Sequence, residues 1–222
     1  MKWKRVTLLA GHYGSGKTNI AVNLALAQKR AGFEVAIADL DIVNPYYRTK
    51  DSEEELRAAG VELISSAFAN SNVDVPALPQ ELYRIVDDQD CHMVVDIGGD
   101  DRGAYALGRF AARLKEENDY EMCLVLNQYR PLTADAKDAV AVMREIEAAG
   151  KLPFTALINN SNLGAATKPE DVLSSVAYAA NISAETGLPQ ILTTVWEELY
   201  ADLEGKIADL YPLQLQRKRL WL

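Results

Sequence analysis

Short apolar runs of five to seven residues alternate along the chain with longer stretches in which apolar side chains recur every three or four positions. Runs of that length bounded by turn residues fit buried strands, and the three-to-four repeat fits helices with one apolar face. The runs are Arg5–Ala10, Glu34–Asp39, Val61–Ser65, His92–Ile97, Glu121–Asn127, Phe154–Asn159 and Ile191–Val195. A helix after the first run carries Ile20, Ala21, Leu24, Ala25 and Ala27 on one side. It stops at Gly32, which can adopt the left-handed backbone of a helix end. A second helix opens near Thr133, repeats Ala136, Val140, Met143 and Ile146, and stops at Gly150. A third opens around Pro169, Glu170 and Asp171, where proline suits the first helical position and acids suit the positive end of the helix dipole. This alternation predicts an α/β fold of three layers, a mainly parallel sheet of about seven strands with helices on both faces. Pro76 to Pro79 marks a loop, no repeat or linker intervenes, and residues 1–222 read as a single domain.

Composition narrows the picture. With 222 residues, 49% of them hydrophobic, the chain can bury a large core. A net charge of −9 argues against general nucleic-acid binding, which needs a basic face to displace counterions. The first apolar run ends after five residues, too short for a secretory signal, and no run reaches membrane-spanning length. Cys91 and Cys123 lie in apolar strand contexts without metal-ligand spacing, so both read as buried thiols of a cytoplasmic protein. His92 reads as core. The C-terminal LQLQRKRLWL joins Arg217, Lys218 and Arg219 to Leu220, Trp221 and Leu222. So short a segment is expected to pack on the domain, with no stable membrane attachment.

In open α/β sheets ligands gather at the carboxyl ends of strands, and that is where the reactive residues fall. Gly11, His12, Tyr13, Gly14, Ser15, Gly16, Lys17 and Thr18 follow the first run and fit G-x-x-x-x-G-K-[ST], with Asn19 opening the helix behind them. Glycines let backbone N–H groups curl around phosphate oxygens, Lys17 adds charge, and the Thr18 hydroxyl can ligate Mg²⁺. Asp39 and Asp41 leave the second strand, where carboxylates can hold Mg²⁺ or orient an attacking water. Asp96 ends a hydrophobic strand and leads into Gly98 and Gly99, a segment able to sense a terminal phosphate. Asp100 and Arg102 read equally as catalytic or as a solvated helix start. The catalytic candidates are therefore Lys17, Asp41 and Asp100, and the metal candidates Thr18, Asp41 and Asp96. Asparagines 159 and 162 stand where guanine selection would use an aspartate. An amide both donates and accepts, as the adenine edge requires, so ATP is favoured over GTP. Trp196 can stack on a base or belong to the core.

GHYGSGKTNIAVNLA, the pair Asp39 and Asp41, Asp96 with its glycine-rich exit, and Asn159 together resemble the ParA/MinD and nitrogenase-iron-protein class of P-loop ATPases over nearly the whole chain. DIGGD, Asp96 to Asp100, is similar to the phosphate-sensing switch of the iron protein. The resemblance implies Mg-ATP on Lys17 and Thr18, a catalytic carboxylate at Asp41, and often a nucleotide-driven homodimer. Members of the class commonly carry a lysine where this chain has His12, whose shorter side chain and pH-dependent charge cannot directly replace it. The cluster cysteines of the iron protein have no counterpart, which removes electron transfer. The expected function is a Mg-ATP-binding hydrolase acting as a nucleotide-controlled switch on a protein partner. Two alternatives stand beside it. One is an ATP-dependent small-molecule enzyme like dethiobiotin synthetase or the cobyrinate amidases, with Asn44, Tyr46, Tyr47, Arg48 and Lys50 as acceptor-site candidates. The other is a module that binds ATP without turnover.

Overall fold

The computed structural model describes residues 4–40, 49–65, 83, 87–98, 104, 105 and 107–215. Eight strands form one sheet: β1 (Val6–Ala10), β2 (Glu34–Asp39), β3 (Glu62–Ser65), β4 (Cys91–Asp96), β5 (Tyr120–Leu126), β6 (Ala156–Asn159), β7 (Gln190–Trp196) and β8 (Leu210–Leu213). Their spatial order is β3-β2-β4-β1-β5-β6-β7-β8, with every neighbouring pair parallel. The described helices are α1 (Lys17–Arg30), α2 (Glu53–Ala59), α3 (Ala111–Glu117), α4 (Ala136–Gly150), α5 (Pro169–Thr186) and α6 (Tyr200–Leu203).

Strand side chains alternate between the two faces of a sheet, and here each face has its own core. Val6, Leu8 and Ala10 of β1, with Met93, Val95, Leu124 and Leu126, pack against Leu114, Met143, Ile146 and Ile182 of α3, α4 and α5. The opposite face sets Leu9, Ile37, Val94 and Val125 against Ile20, Leu24 and Leu56 of α1 and α2. Helices thus cover both faces, the arrangement that an all-parallel sheet needs.

β2 keeps its expected bounds, ends of the other expected strands shift by at most two residues, and β8 adds a strand that the hydrophobic pattern does not mark. Pro212 sits inside it, opposite Val195 of β7. Proline cannot donate to a ladder and is tolerated on an edge strand, which is β8's place. Gly32 follows α1 with φ +95°, as expected of a helix end. Gly150, expected to stop its helix, is instead the last residue of α4, and the left-handed position passes to Lys151 (φ +53°). Packing is close there: a Cβ would lie 3.3 Å from Leu107 Cδ2 and 3.4 Å from the Ala104 carbonyl, so a side chain would push these neighbours by a few tenths of an ångström. Asp135 caps α4, its carboxylate accepting from the Asp138 N–H at 2.9 Å. Pro169 opens α5, and Asp171 reaches back to accept from the Lys168 N–H at 2.8 Å. Cys91 and Cys123 are free and buried, and burial raises both thiols, leaving them little thiolate character. His92 is only half-buried, stacked on Phe33 with ring centroids 4.1 Å apart. Among the described residues, no helix is long and apolar enough to cross a membrane.

Candidate functional site

After β1 the chain turns through Gly11, Gly14 and Gly16, all at positive φ, before α1 begins at Lys17. A Cβ at Gly11 would lie 2.6 Å from the Val125 carbonyl oxygen, and one at Gly16 would lie 2.2 Å from Asn160 Nδ2. Only glycine lets the loop press against the exits of β5 and β6. Lys17 and Thr18 are both buried, and Lys17 Nζ donates to the carbonyls of Gly11 (3.0 Å) and His12 (3.3 Å), which holds the ammonium within the loop. Ser15 is buried, and its Oγ has no hydrogen-bond partner among the described residues. A buried hydroxyl left in that condition costs free energy that an anion at the loop would recover. An ammonium, an uncommitted hydroxyl and a helix N-terminus fit a phosphate group. His12 stays with its own loop, its Nδ1 2.9 Å from the Tyr13 carbonyl, while the Tyr13 ring is exposed and Asn19 stands half-buried in the first turn of α1.

Two carboxylates flank this loop. Asp39 ends β2 and Asp96 ends β4, and the register pairs them with each other and Asp96 with Leu9 of β1. Both are buried, and Asp96 accepts from the Thr49 hydroxyl at 3.4 Å. Carboxylate and hydroxyl oxygens, such as those of Asp39, Asp96 and Thr18, are the donors a hard divalent cation takes, though among the described residues no three or more carboxylate, histidine or cysteine side chains cluster to hold one. Asp41, Asp100, Gly99, Arg102 and residues 44–48 lie outside the described residues, as do the 76–79 loop and the 216–222 tail.

The exit of β6 corrects one expectation. Asn159 does not face the site. It is fully buried, its amide nitrogen donates to Ser175 Oγ (2.8 Å) and the Ser175 carbonyl (3.4 Å), and its oxygen accepts from the N–H and hydroxyl of Ser161. Two N–H groups and two lone pairs exhaust an asparagine, so nothing is left for a base. Its neighbour Asn160 points the other way, donating to the Ser15 carbonyl at 2.6 Å and accepting from the Thr194 hydroxyl at 2.7 Å. Asn162 donates to the Asn160 carbonyl and accepts from the Gly164 N–H. Each of these two amides keeps one N–H and one lone pair. Both line a cleft of about 100 Å³ beside the loop, shared with Gly16, Asn19, Trp196 and Leu215. Trp196 is half-buried there, a wall of the cleft and not a core residue.

Arg130 carries a role that its sequence position alone does not reveal. It follows the β5 exit, and its Nε donates to the Gly14 carbonyl at 2.8 Å, placing a second cation against the loop. Its signal was only its place after a central strand, where ligands gather.

No curated protein matches the chain by sequence. Solved structures similar in fold include the cell division protein FtsY of Thermotoga maritima, at 17% identity and TM-score 0.58, covering 86% of this chain and 61% of that one. Chloroplast FtsY of Physcomitrella patens follows at 18% and 0.56, covering 87% and 58%. The signal recognition particle 54 kDa protein of Aeropyrum pernix, solved in complex with GDP, is similar at 19% and 0.52, covering 86% and 41%. The chain spans about three fifths of the length of the FtsY proteins it matches, and at these identities the likeness shows the fold. The sequence profile of the CobQ/CobB/MinD/ParA nucleotide binding domain matches residues 6–167, most of the chain, and the chain belongs to that family.

Proposed function

We propose that this protein is a Mg-ATP-binding hydrolase that acts as a nucleotide-controlled switch on a protein partner, with residues 1–222 working as one nucleotide-binding unit. The observation that carries the choice of base is the cleft beside the phosphate loop. Asn160 and Asn162 offer it amides, Trp196 offers it a flat face, and among the described lining residues there is no carboxylate. Guanine presents two N–H donors that an acidic acceptor would recognise, whereas adenine presents one donor and one acceptor, which an amide matches. GDP is bound by the signal recognition particle protein, so GTP is the reading to be excluded by measurement.

In this reading Lys17 and the Ser15 hydroxyl bind the phosphates, and Thr18 and Asp96 are the residues that hold Mg²⁺, which supplies positive charge to the terminal phosphates. Asp41 orients the attacking water and Asp100 assists it. Departure of the terminal phosphate is sensed by the segment after Asp96, and the partner reads the change.

Calorimetric titration with Mg-ATP and Mg-GTP tests the reading. ATP is expected to bind more tightly, and Lys17→Ala to abolish binding, since hydrogen bonds to charged groups are worth about 1.5–3 kcal/mol each. Equal or tighter GTP binding overturns the base assignment. Retained ATP without phosphate release converts the protein into a binding module.

A further inference from the structure

The last strand leads directly to the cleft. Leu213 of β8 and Leu215 after it both line the cleft, Leu213 buried and Leu215 with 44% of its surface exposed. Between them stands Gln214, whose backbone is gripped from α1. Asn23 Nδ2 donates to the Gln214 carbonyl at 2.9 Å, and the Gln214 N–H donates to Asn23 Oδ1 at 2.9 Å. The same amide nitrogen donates to the Asn19 carbonyl at 2.8 Å. Asn23 is buried, and a side-chain amide matching a peptide at two points copies one rung of a β-ladder. It lies in the helix that the phosphate loop opens, six positions beyond Lys17.

We propose that the exit of β8 is a wall of the base subsite, held against α1 by Asn23, and that Asn23 is a positioning residue for the nucleotide base. This rests on the nucleotide reading above and adds to it the residue that closes the subsite. Asn19 and Gly16 form the helix side of the cleft, Asn160 to Asn162 and Trp196 the far side, and Leu215 the side that the Gln214 grip ties to α1, one residue beyond the β7–β8 pairing. The grip releases the wall without disturbing the phosphate loop, because Asn23 has no bond to Gly11, Ser15 or Lys17 among the described residues. Base binding and the position of the C-terminal segment are therefore linked, and by reciprocity whatever holds that segment in place strengthens base binding by the same factor.

The test separates base from phosphates. Wild type, Asn23→Leu and Leu215→Ala are titrated with Mg-ATP and with Mg-tripolyphosphate, which carries the phosphate chain without a base. Asn23→Leu is expected to weaken ATP by about tenfold, the size of an ordinary coupling between two sites, and to leave tripolyphosphate unchanged. Leu215→Ala, at an exposed position that cannot unfold the domain, is expected to weaken ATP alone, and Leu215→Met to restore it. If both ligands weaken together in Asn23→Leu, or ATP affinity is unmoved in both Asn23→Leu and Leu215→Ala, the proposal is overturned. A wild type that binds ATP no better than tripolyphosphate overturns the base reading itself, and the proposal with it, before any variant is considered.

Discussion

The side-chain amide of Asn160 donates to the Ser15 carbonyl at 2.6 Å and fills the space where a side chain on Gly16 would begin, 2.2 Å from a Cβ built there. One residue at the end of β6 thus fixes both the direction of the phosphate loop and the identity of its last glycine. Thr194 of β7 holds the same amide from the other side, so three neighbouring segments meet at one side chain.

Gly16→Ala is therefore expected to do more than a substitution at an ordinary left-handed glycine. At Gly187 (φ +72°), which ends α5 and does not line the cleft, nothing lies within 4 Å of an added Cβ, so alanine there carries backbone strain alone, about 1–2 kcal/mol. At Gly16 (φ +91°) the same strain comes with expulsion of the Asn160 amide. The pair of variants should differ in melting temperature, and only Gly16→Ala should lose nucleotide. If the two variants bind ATP equally, the Asn160 contact does not shape the loop.

Arg5 anchors the opposite end of the sheet. It is 4% exposed, its Nε and Nη2 donate to both carboxylate oxygens of Glu117, and its Nη1 donates to the carbonyls of Asp88 (2.9 Å) and Cys91 (3.2 Å). Arg5→Ala leaves these acceptors without their donor, a loss of about 3–5 kcal/mol for a broken buried pair. Arg5→Lys restores only part, because an ammonium cannot reproduce the guanidinium fork. Chemical denaturation measures this directly, and a loss below about 1 kcal/mol for Arg5→Ala would show a surface-like pair. The folded variant should bind nucleotide normally.

The sequence made the phosphate loop, the two-sided parallel sheet and the aspartate strand ends legible, because each rests on a local pattern: glycine spacing, apolar run length, or a charge ending a run. What it hid was decided by orientation. In NNSN, adjacent residues point to opposite sides of the β6 exit, so Asn159 turns inward to Ser175 while Asn160 turns to Ser15. Composition cannot say which of two identical neighbours faces a ligand. β8 was hidden by Pro212, and the Arg130 to Gly14 contact by a separation of 116 positions along the chain. Such contacts depend on the register of the whole sheet and leave no local mark.

His92 makes stability sensitive to mild acid. Desolvation is the main cause that lowers its pKa below the usual 6.5, Arg5 adds to the effect, and Asp119 opposes it. The folded state thus binds fewer protons than the unfolded one below pH 6.5, so stability rises with pH through that window and is lost as pH falls towards the folded value. His92→Phe keeps an aromatic partner for Phe33 and removes the titration. Its unfolding free energy should change less between pH 5 and pH 7 than that of wild type. Parallel profiles for the two proteins would assign the acid sensitivity to other groups.

Arg130 should affect the phosphates and not the base. Its Nε holds the Gly14 carbonyl at 2.8 Å from outside the loop, and the left-handed Gly14 (φ +77°) leaves it room, an added Cβ coming within 3.2 Å of that nitrogen. A carbonyl held outward cannot swing its negative end towards an anion, and the guanidinium adds positive charge close to the site. Arg130→Ala removes the brace on Gly14 together with a positive charge beside the phosphates, so affinity should fall for ATP and tripolyphosphate alike, by roughly tenfold if the coupling is of ordinary size. Arg130→Lys keeps the charge and loses the directed Nε–H, which separates charge from loop geometry. Full rescue by lysine would mean that charge alone matters, whereas no rescue would identify the brace on Gly14 as the source of the effect. Unchanged tripolyphosphate affinity in Arg130→Ala would leave this arginine with no part in phosphate binding.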